Sequence, residues 1–307
     1  MKKLKSMLSF GKPKPGPITI SKSYYLTVLA GRAQMPTLLS VVNPKGEGGA
    51  VVGLGAPLAA GASRSDLSNP LERGAYALSS LDQRTVLKLF VMPKEEAGFD
   101  PAAFVHSPVA KDMDTEVLLR IEATWMLAQL TFESYDPQAY PALDFFLGVA
   151  RRLAGLTDGV IADPVGQTYR LPQTLVGARP DGVGILATEH VDVKVRPLEG
   201  GLHLYTLGLS KFDQPEIEMY GLSPTVQVEA VRFLYGLSQA VLHGNRLELG
   251  VEVGAEGNML KVSHGGLEAA VWGKKACFEL VPAGQGKLED ALRAWVESTE
   301  ATARPRD

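Results

Sequence analysis

Two amphipathic helices stand out in the pattern of apolar and polar positions. The first is predicted to begin at Asp136, with Pro137 in its first turn, and the second begins in the same way at Ser223 and Pro224. Such residues accept a hydrogen bond from a free backbone N–H, and proline loses nothing in the first turn of a helix. The apolar positions recur at the helical period, namely Tyr140, Leu143, Phe146, Leu147, Ala150 and Leu153 in the first helix, and Val226, Ala230, Phe233, Leu234, Leu237 and Val241 in the second.

Short apolar segments between turn residues predict strands, at residues 86–92, 159–163, 168–171, 247–253, 259–262, 269–272 and 276–281. Residues 120–132 fit either a helix that begins near Asp114 or a strand, and we favour a strand over their second half. A last helix is predicted at residues 287–296. About three helices and eight or more strands, mostly joined by short turns, predict an α+β fold in which helices pack on mainly antiparallel sheets.

The two proline-initiated helices align Phe146 with Phe233 and Leu147 with Leu234, and a glycine-led strand follows each helix. This alignment indicates either a duplicated strand–helix–strand unit or two unrelated helices that each cover a sheet. Residues 171–181 contain two prolines and a glycine, which favours a domain boundary there. We therefore expect a flexible basic arm, an N-terminal α+β domain, a C-terminal α+β domain and a flexible tail, at residues 1–17, 18–172, 182–298 and 299–307.

The composition excludes several kinds of site and partner. Cys277 is the single cysteine among 307 residues, so an internal disulfide, a cysteine-rich zinc site and an iron–sulfur cluster are excluded. Its apolar neighbours predict a core position for the thiol. The net charge of −3 gives the chain as a whole no affinity for nucleic acid or an anionic membrane. The lysines of the basic arm, Lys2, Lys3, Lys5, Lys12 and Lys14, favour a solvated tail over a nucleic-acid-binding arm.

Familiar catalytic and cofactor motifs do not occur in the sequence. Residues 53–55 resemble the start of a dinucleotide-binding loop but lack its third glycine, so no nucleotide cofactor is expected. Residues 264–266, His-Gly-Gly, resemble part of an oxyanion loop but have no Gly-x-Ser-x-Gly nucleophile to serve. The longest uncharged apolar run, residues 50–62, is too short to cross a bilayer. These observations predict a soluble, cytoplasmic protein.

Polar side chains concentrate in residues 188–220, where three strands are predicted to form a meander. The candidate site residues are His190, Asp192, His203, Glu216 and Glu218. Alternation along the strands predicts that His190, Asp192 and Lys194 share one face, and that Glu216, Glu218 and Tyr220 share another.

These residue types suit two interpretations. Imidazoles with carboxylates suit a divalent metal, and paired carboxylates suit general acid–base catalysis. Alternatively, the sheet has a solvated outer face on which Lys194 pairs across strands with Glu216 or Glu218, and we favour this second interpretation.

The spacing of His203, Thr206, Gly208, Phe212 and residues 215–218 resembles bacterial families catalogued as domains of unknown function. The likeness covers about residues 117–245 and includes the turn at residues 159–164. It implies an α+β fold and a shared structural signature around Gly208 and the Pro-Glu-x-Glu segment. It implies no activity, cofactor or catalytic residue.

The leading hypothesis is a non-catalytic binding or accessory protein whose partner is a protein or a small ligand. A homo-oligomer is an open alternative for its assembly. The alternative is a metal- or carboxylate-dependent, hydrolase-like enzyme with its site on residues 188–220. A weaker alternative is nucleic-acid binding through the basic arm, with an affinity that falls steeply as salt rises.

Overall fold

Two six-stranded sheets organise the chain. A computed structural model of the protein describes residues 18–42, 68–79, 85–134, 139–175, 185–266 and 276–303. The chain divides into two compact units: one spans residues 19–182, and the other consists of residues 183–307 together with Ile18. Each unit contains one of the sheets. Both sheets are mainly antiparallel with helices packed on them, so the predicted α+β fold class is confirmed.

The sheet of the N-terminal unit has the strand order β2-β3-β4-β1-β5-β6, and all its neighbours are antiparallel. Its strands are β1 (Tyr25–Ala30), β2 (Gly74–Ser79), β3 (Val86–Pro93), β4 (Met126–Ser134), β5 (Val160–Asp163) and β6 (Thr168–Arg170). Its helices are α1 (Leu38–Val41), α2 (Pro101–Val105), α3 (Thr115–Glu122) and α4 (Ala139–Leu156), with 3₁₀ turns at Pro108–Ala110 and Pro172–Thr174.

The apolar stripe of α4 packs on this sheet as its periodicity predicts. The ring of Phe146 lies 5.1 Å from that of Tyr24 and 4.6 Å from that of Phe132, measured between centroids. A second cluster joins Val117 and Ile121 of α3 to the sheet, where Leu29 and Ala162 lie. The central strand β1 is therefore buried along nearly its whole length.

The sheet of the C-terminal unit has the order β10-β11-β12-β9-β8-β7, in which β12 and β9 are parallel and all other neighbours antiparallel. Its strands are β7 (Asp192–Leu198), β8 (Gly201–Leu207), β9 (Glu216–Leu222), β10 (Glu252–Ala255), β11 (Asn258–His264) and β12 (Cys277–Pro282). Its helices are α5 (Ala187–His190), α6 (Gln227–Leu242) and α7 (Leu288–Ala303), with 3₁₀ turns at Leu209–Phe212 and Pro224–Val226.

The register gives this second sheet one apolar and one polar face. Buried apolar side chains form the first face, including Leu204, Met219, Leu280 and Val262. The helices α6 and α7 pack on the sheet and meet each other through Phe233 and Trp295, whose rings are edge to face at 5.1 Å. A row of cross-strand partners on the opposite face comprises Lys194, Tyr205, Glu218, Glu279 and Ser263. His203, Glu216 and Glu218 therefore lie on the face opposite the helices.

Several local expectations need correction. His190 does not lie on a strand, because residues 187–190 form the single turn α5, which closes with a hydrogen bond from Val191 N–H to Ala187 O. The last helix continues to Ala303, into the segment predicted to be a flexible tail. Residues 114–134 combine both alternatives, since Asp114 caps α3 and β4 follows. The strand predicted at residues 247–253 is instead β10, which begins later.

Other predictions fall outside the described residues. They are the basic arm at residues 1–17, the segment 50–62 with its glycines at 53 and 55, the helix start at residues 136–137, the strand at 269–272 and most of the boundary segment. The contacts divide the chain between residues 182 and 183, and the four predicted domains stay a prediction.

The duplication also stays a prediction, and the two helical connections differ. The helix α4 connects β4 and β5, which flank β1, whereas α6 connects β9 and β10, which lie three positions apart in the other sheet. None of the described helices has the length and apolar character needed to cross a bilayer.

Candidate functional site

Three of the five candidate residues come together on the β8–β9 hairpin. His203, Glu216 and Glu218 are each 0% exposed. The hypothesis of a solvated sheet face is therefore wrong for these three side chains. They are buried because Tyr205 and Tyr220 flank the imidazole and the backbone of residues 265–266 lies against the Glu218 carboxylate.

The carboxylate of Glu218 is held by donors from two distant parts of the unit. Its Oε2 accepts hydrogen bonds from His203 Nε2 at 3.0 Å and from the Tyr220 hydroxyl at 2.9 Å. Its Oε1 accepts the Gly266 N–H at 2.6 Å. An ionised carboxylate only accepts, so with Glu218 ionised this contact corresponds to the His203 tautomer that carries a proton on Nε2. Both oxygens of Glu218 are thus occupied within the protein.

The carboxylate of Glu216 has a separate set of four donors. Its Oε2 accepts the Thr206 hydroxyl at 2.8 Å and the Leu209 N–H at 3.2 Å. Its Oε1 accepts the N–H groups of Gly208 at 2.9 Å and Ser210 at 3.1 Å. These donors come from the end of β8 and the 3₁₀ turn that follows, so Glu216 fixes the connection between β8 and β9.

The imidazole of His203 is held mainly by aromatic contacts. It stacks on Tyr220 with centroids 4.1 Å apart and planes 9° apart, and Tyr205 lies on it at 4.7 Å. Its Nδ1 has no hydrogen-bond partner among the described residues. The imidazole ring therefore packs between two tyrosine rings, and its Nε2 contacts the Glu218 carboxylate.

The parallel strand β12 brings two further titratable groups to the cluster. Cys277 lies beside Glu216 in the register and Glu279 beside Glu218. Burial, with the charges of Glu218 and Glu216, raises the pKa of the Cys277 thiol far above its usual range. The thiol is buried, as the core prediction requires, and its raised pKa favours the thiol over the nucleophilic thiolate. Burial also raises the pKa of Glu279, the Glu218 charge adds to this rise, and His203 opposes it.

The remaining two candidates, His190 and Asp192, form other contacts. The ring of His190 is buried and packs edge-on against Phe212 at 5.7 Å. Asp192 forms an ion pair with Lys194 at 2.6 Å on its own strand. The predicted pairing of Lys194 with Glu216 or Glu218 is therefore wrong, because Asp192 lies two residues away on the same face and reaches the ammonium group first.

Sequence reasoning missed the donors that the rest of the fold brings to Glu218. Gly266 lies 48 residues from it in the chain, and no local pattern connects the two. A Cβ at Gly265 would lie 2.7 Å from Glu218 Oε1 and 2.8 Å from Glu279 N, so this position has room only for glycine. The one available signal was the resemblance of residues 264–266 to an oxyanion loop. The Gly266 N–H does bind an oxyanion, but that oxyanion is an internal carboxylate.

The arrangement suits structure better than catalysis or metal binding. A general base needs a free lone pair and contact with substrate. Glu216 and Glu218 have all four of their oxygens engaged, and both are fully buried. Among the described residues no group of three or more His, Cys, Asp and Glu side chains has the geometry to hold a metal ion.

Comparisons with known proteins identified no relative of this chain. A scan against protein-family models, a search of curated proteins and a search of solved structures each found no match. The resemblance to domains of unknown function therefore stays an expectation from the sequence.

Proposed function

We propose that the protein is a non-catalytic binding or accessory protein. The observation that carries this proposal is the saturation of Glu216 and Glu218 by donors of the same chain. These two residues are the paired carboxylates that the sequence offers for acid–base work, and their hydrogen bonds within the chain support a role in the fold. This engagement supports a function that depends on recognition by the molecular surface.

The hydrolase-like alternative has less support. It requires His203, Glu216 or Glu218 to reach a substrate, and all three are fully buried. The nucleic-acid alternative depends on the basic arm, which lies outside the described residues. A cytoplasmic location is part of the proposal. It is supported by the single, buried Cys277, since exported proteins usually pair their cysteines.

The test compares turnover with partner recovery for the full-length chain. We expect no turnover in a broad hydrolase substrate screen and recovery of a stoichiometric protein or ligand from the native lysate. Glu218→Gln serves as the matched variant, because it keeps the size of the side chain and removes its charge. Turnover by the wild-type protein would overturn the proposal, and its loss in a folded Glu218→Gln variant would assign the activity to the β8–β9 hairpin.

A further inference from the structure

We propose that a cleft in the N-terminal unit, between the end of β3 and the helices α2 and α3, binds a cationic segment of a partner protein. The segment carries lysine or arginine beside an apolar side chain. This inference rests on the proposed binding function and gives it a surface and a class of partner.

The cleft is a defined feature of the fold. It has a volume of about 430 Å³ and is lined by residues that include Lys94, Glu95, Phe99, Asp100 and Glu122. Backbone hydrogen bonds hold its walls, from Phe99 N–H to Lys94 O at 2.9 Å and from Lys94 N–H to Trp125 O at 3.2 Å. Its size is that of sites that accept a few side chains of a ligand.

The charges of the cleft are unbalanced toward the negative. Three of its side chains are carboxylates and one is an ammonium group, and the ammonium nitrogen of Lys94 lies 5.3 Å from the centre of the Trp125 ring. Asp100 accepts the Ala103 N–H and so caps α2. Glu95 and Glu122 form no ion pair in the part of the chain that the structure describes.

Two neighbouring carboxylates form ion pairs with arginines, whereas Glu95 and Glu122 form none with the described residues. Glu96 is paired with Arg73 at 2.5 Å, and Glu116 is paired with Arg120 at 2.7 Å one helical turn away. Glu95 and Glu122 are exposed at the cleft without such partners, so a cation supplied from outside would be complementary to them.

Apolar side chains stand beside this acidic cleft. Trp125 is 56% exposed and Leu119 is 61% exposed, although large apolar side chains usually lie inside. Leu119 and Glu122 are three residues apart and therefore share a side of α3. Exposed tryptophans are common anchors of protein interfaces. The combination selects a segment with both cationic and apolar side chains, and it repels nucleic acid because phosphates would face carboxylates.

The test titrates full-length protein with a short synthetic peptide in which lysines alternate with leucines, and follows tryptophan fluorescence. Two control peptides replace the lysines by glutamates or the leucines by serines. We expect binding of the lysine–leucine peptide only, with a fluorescence change that Trp125→Phe removes. The double variant Glu95→Lys with Glu122→Lys should weaken binding at least about tenfold.

The matched control is Glu248→Lys with Glu256→Lys, which makes the same change in net charge at exposed positions of the other unit. We expect it to bind as the wild type does. Equal binding by the two double variants, binding of the glutamate peptide, or binding of the lysine–serine peptide as a simple cation would each overturn the inference. A partner recovered equally by both double variants would leave the proposed function standing and refute this surface, whereas Glu218-dependent turnover would refute the proposed function itself.

Discussion

Glu216 and Glu218 are two residues apart on one strand, yet their surroundings give them different tasks. Glu216 binds the turn that follows β8 through three backbone N–H groups and the Thr206 hydroxyl. Glu218 joins β8, β9 and the start of the segment after β11 through His203, Tyr220 and Gly266. A buried carboxylate is tolerated only when donors replace its water, and both residues meet that condition.

We expect Glu216→Gln to lower the free energy of unfolding by about 2–4 kcal/mol, because an amide cannot accept from donors on both sides and leaves buried N–H groups unpaired. Urea unfolding monitored by circular dichroism measures the change. The exposed Glu248→Gln is the control and should stay within about 0.5 kcal/mol of the wild type. A loss below that size in Glu216→Gln would refute the structural role of this carboxylate.

Glu279 gives a pH-dependent prediction. Its pKa is raised in the folded state, so the folded protein favours the protonated carboxyl. The stability that this protonation contributes is fully present below the ordinary glutamate pKa and is lost as the pH rises through the raised folded value. We therefore expect Glu279→Gln to stabilise the protein at neutral pH, by less than about 1 kcal/mol because water screens the half-buried group. The difference should vanish in acid, and a difference independent of pH would contradict the assignment.

At the scale of elements, the end of β8 depends on one glycine. Gly208 has a φ of +129°, and a Cβ there would lie 2.2 Å from the carbonyl oxygen of His190. The close approach joins the end of β8 to α5, and the same residue donates its N–H to Glu216. Position 208 thus has no room for a side chain, and its positive φ is one that residues with a side chain rarely adopt.

Gly208→Ala should destabilise the protein by at least about 2 kcal/mol, through backbone strain and the clash together. Thermal unfolding of this variant beside Gly284→Ala checks it, because a Cβ at Gly284 meets nothing within 4 Å. Equal melting temperatures for the two variants would show that the turn relaxes freely.

The sequence predicted those elements whose signal is local. The stripe containing Phe146 and that containing Phe233 gave both long helices, and strand alternation gave the β7–β8–β9 meander. His190 was misplaced because its alternation with Val191 and Val193 continues that of β7, whereas its packing against Phe212 keeps it in α5. The parallel pairing of β9 with β12 was out of reach, since no local pattern specifies a partner so distant in the chain.

The same division applies to the candidate site. The shared face of Glu216, Glu218 and Tyr220 follows from strand period and is confirmed by the hydrogen bond between Glu218 and Tyr220. The burial of Glu216 and Glu218 could not be predicted, because it depends on Gly266 and on strand β12, which are distant in the chain. The polar face was therefore expected to be solvated.

At the scale of the whole molecule, each unit has its own sheet, helices and buried core. We predict that residues 183–307, produced alone, unfold in one cooperative transition and give dispersed amide signals in NMR spectra. The six strands of this unit pair only with one another among the described residues, so no strand is lost with the cut. A fragment that lacks a cooperative transition would show that the two units form a single folding domain.

We expect the parallel contact between β9 and β12 to limit the rate at which this unit folds. The hairpins of the meander close short loops, whereas β12 reaches β9 only after α6, β10 and β11 have been passed. Closing a long loop costs entropy before the contacts that it allows can form, so folds with distant strand pairings form more slowly than helical bundles. Until that closure, Glu218 lacks the Gly266 N–H and the cover of the adjoining strand. We therefore expect the fully buried Glu218 and its neighbours to be among the last residues of the unit to lose contact with water during folding.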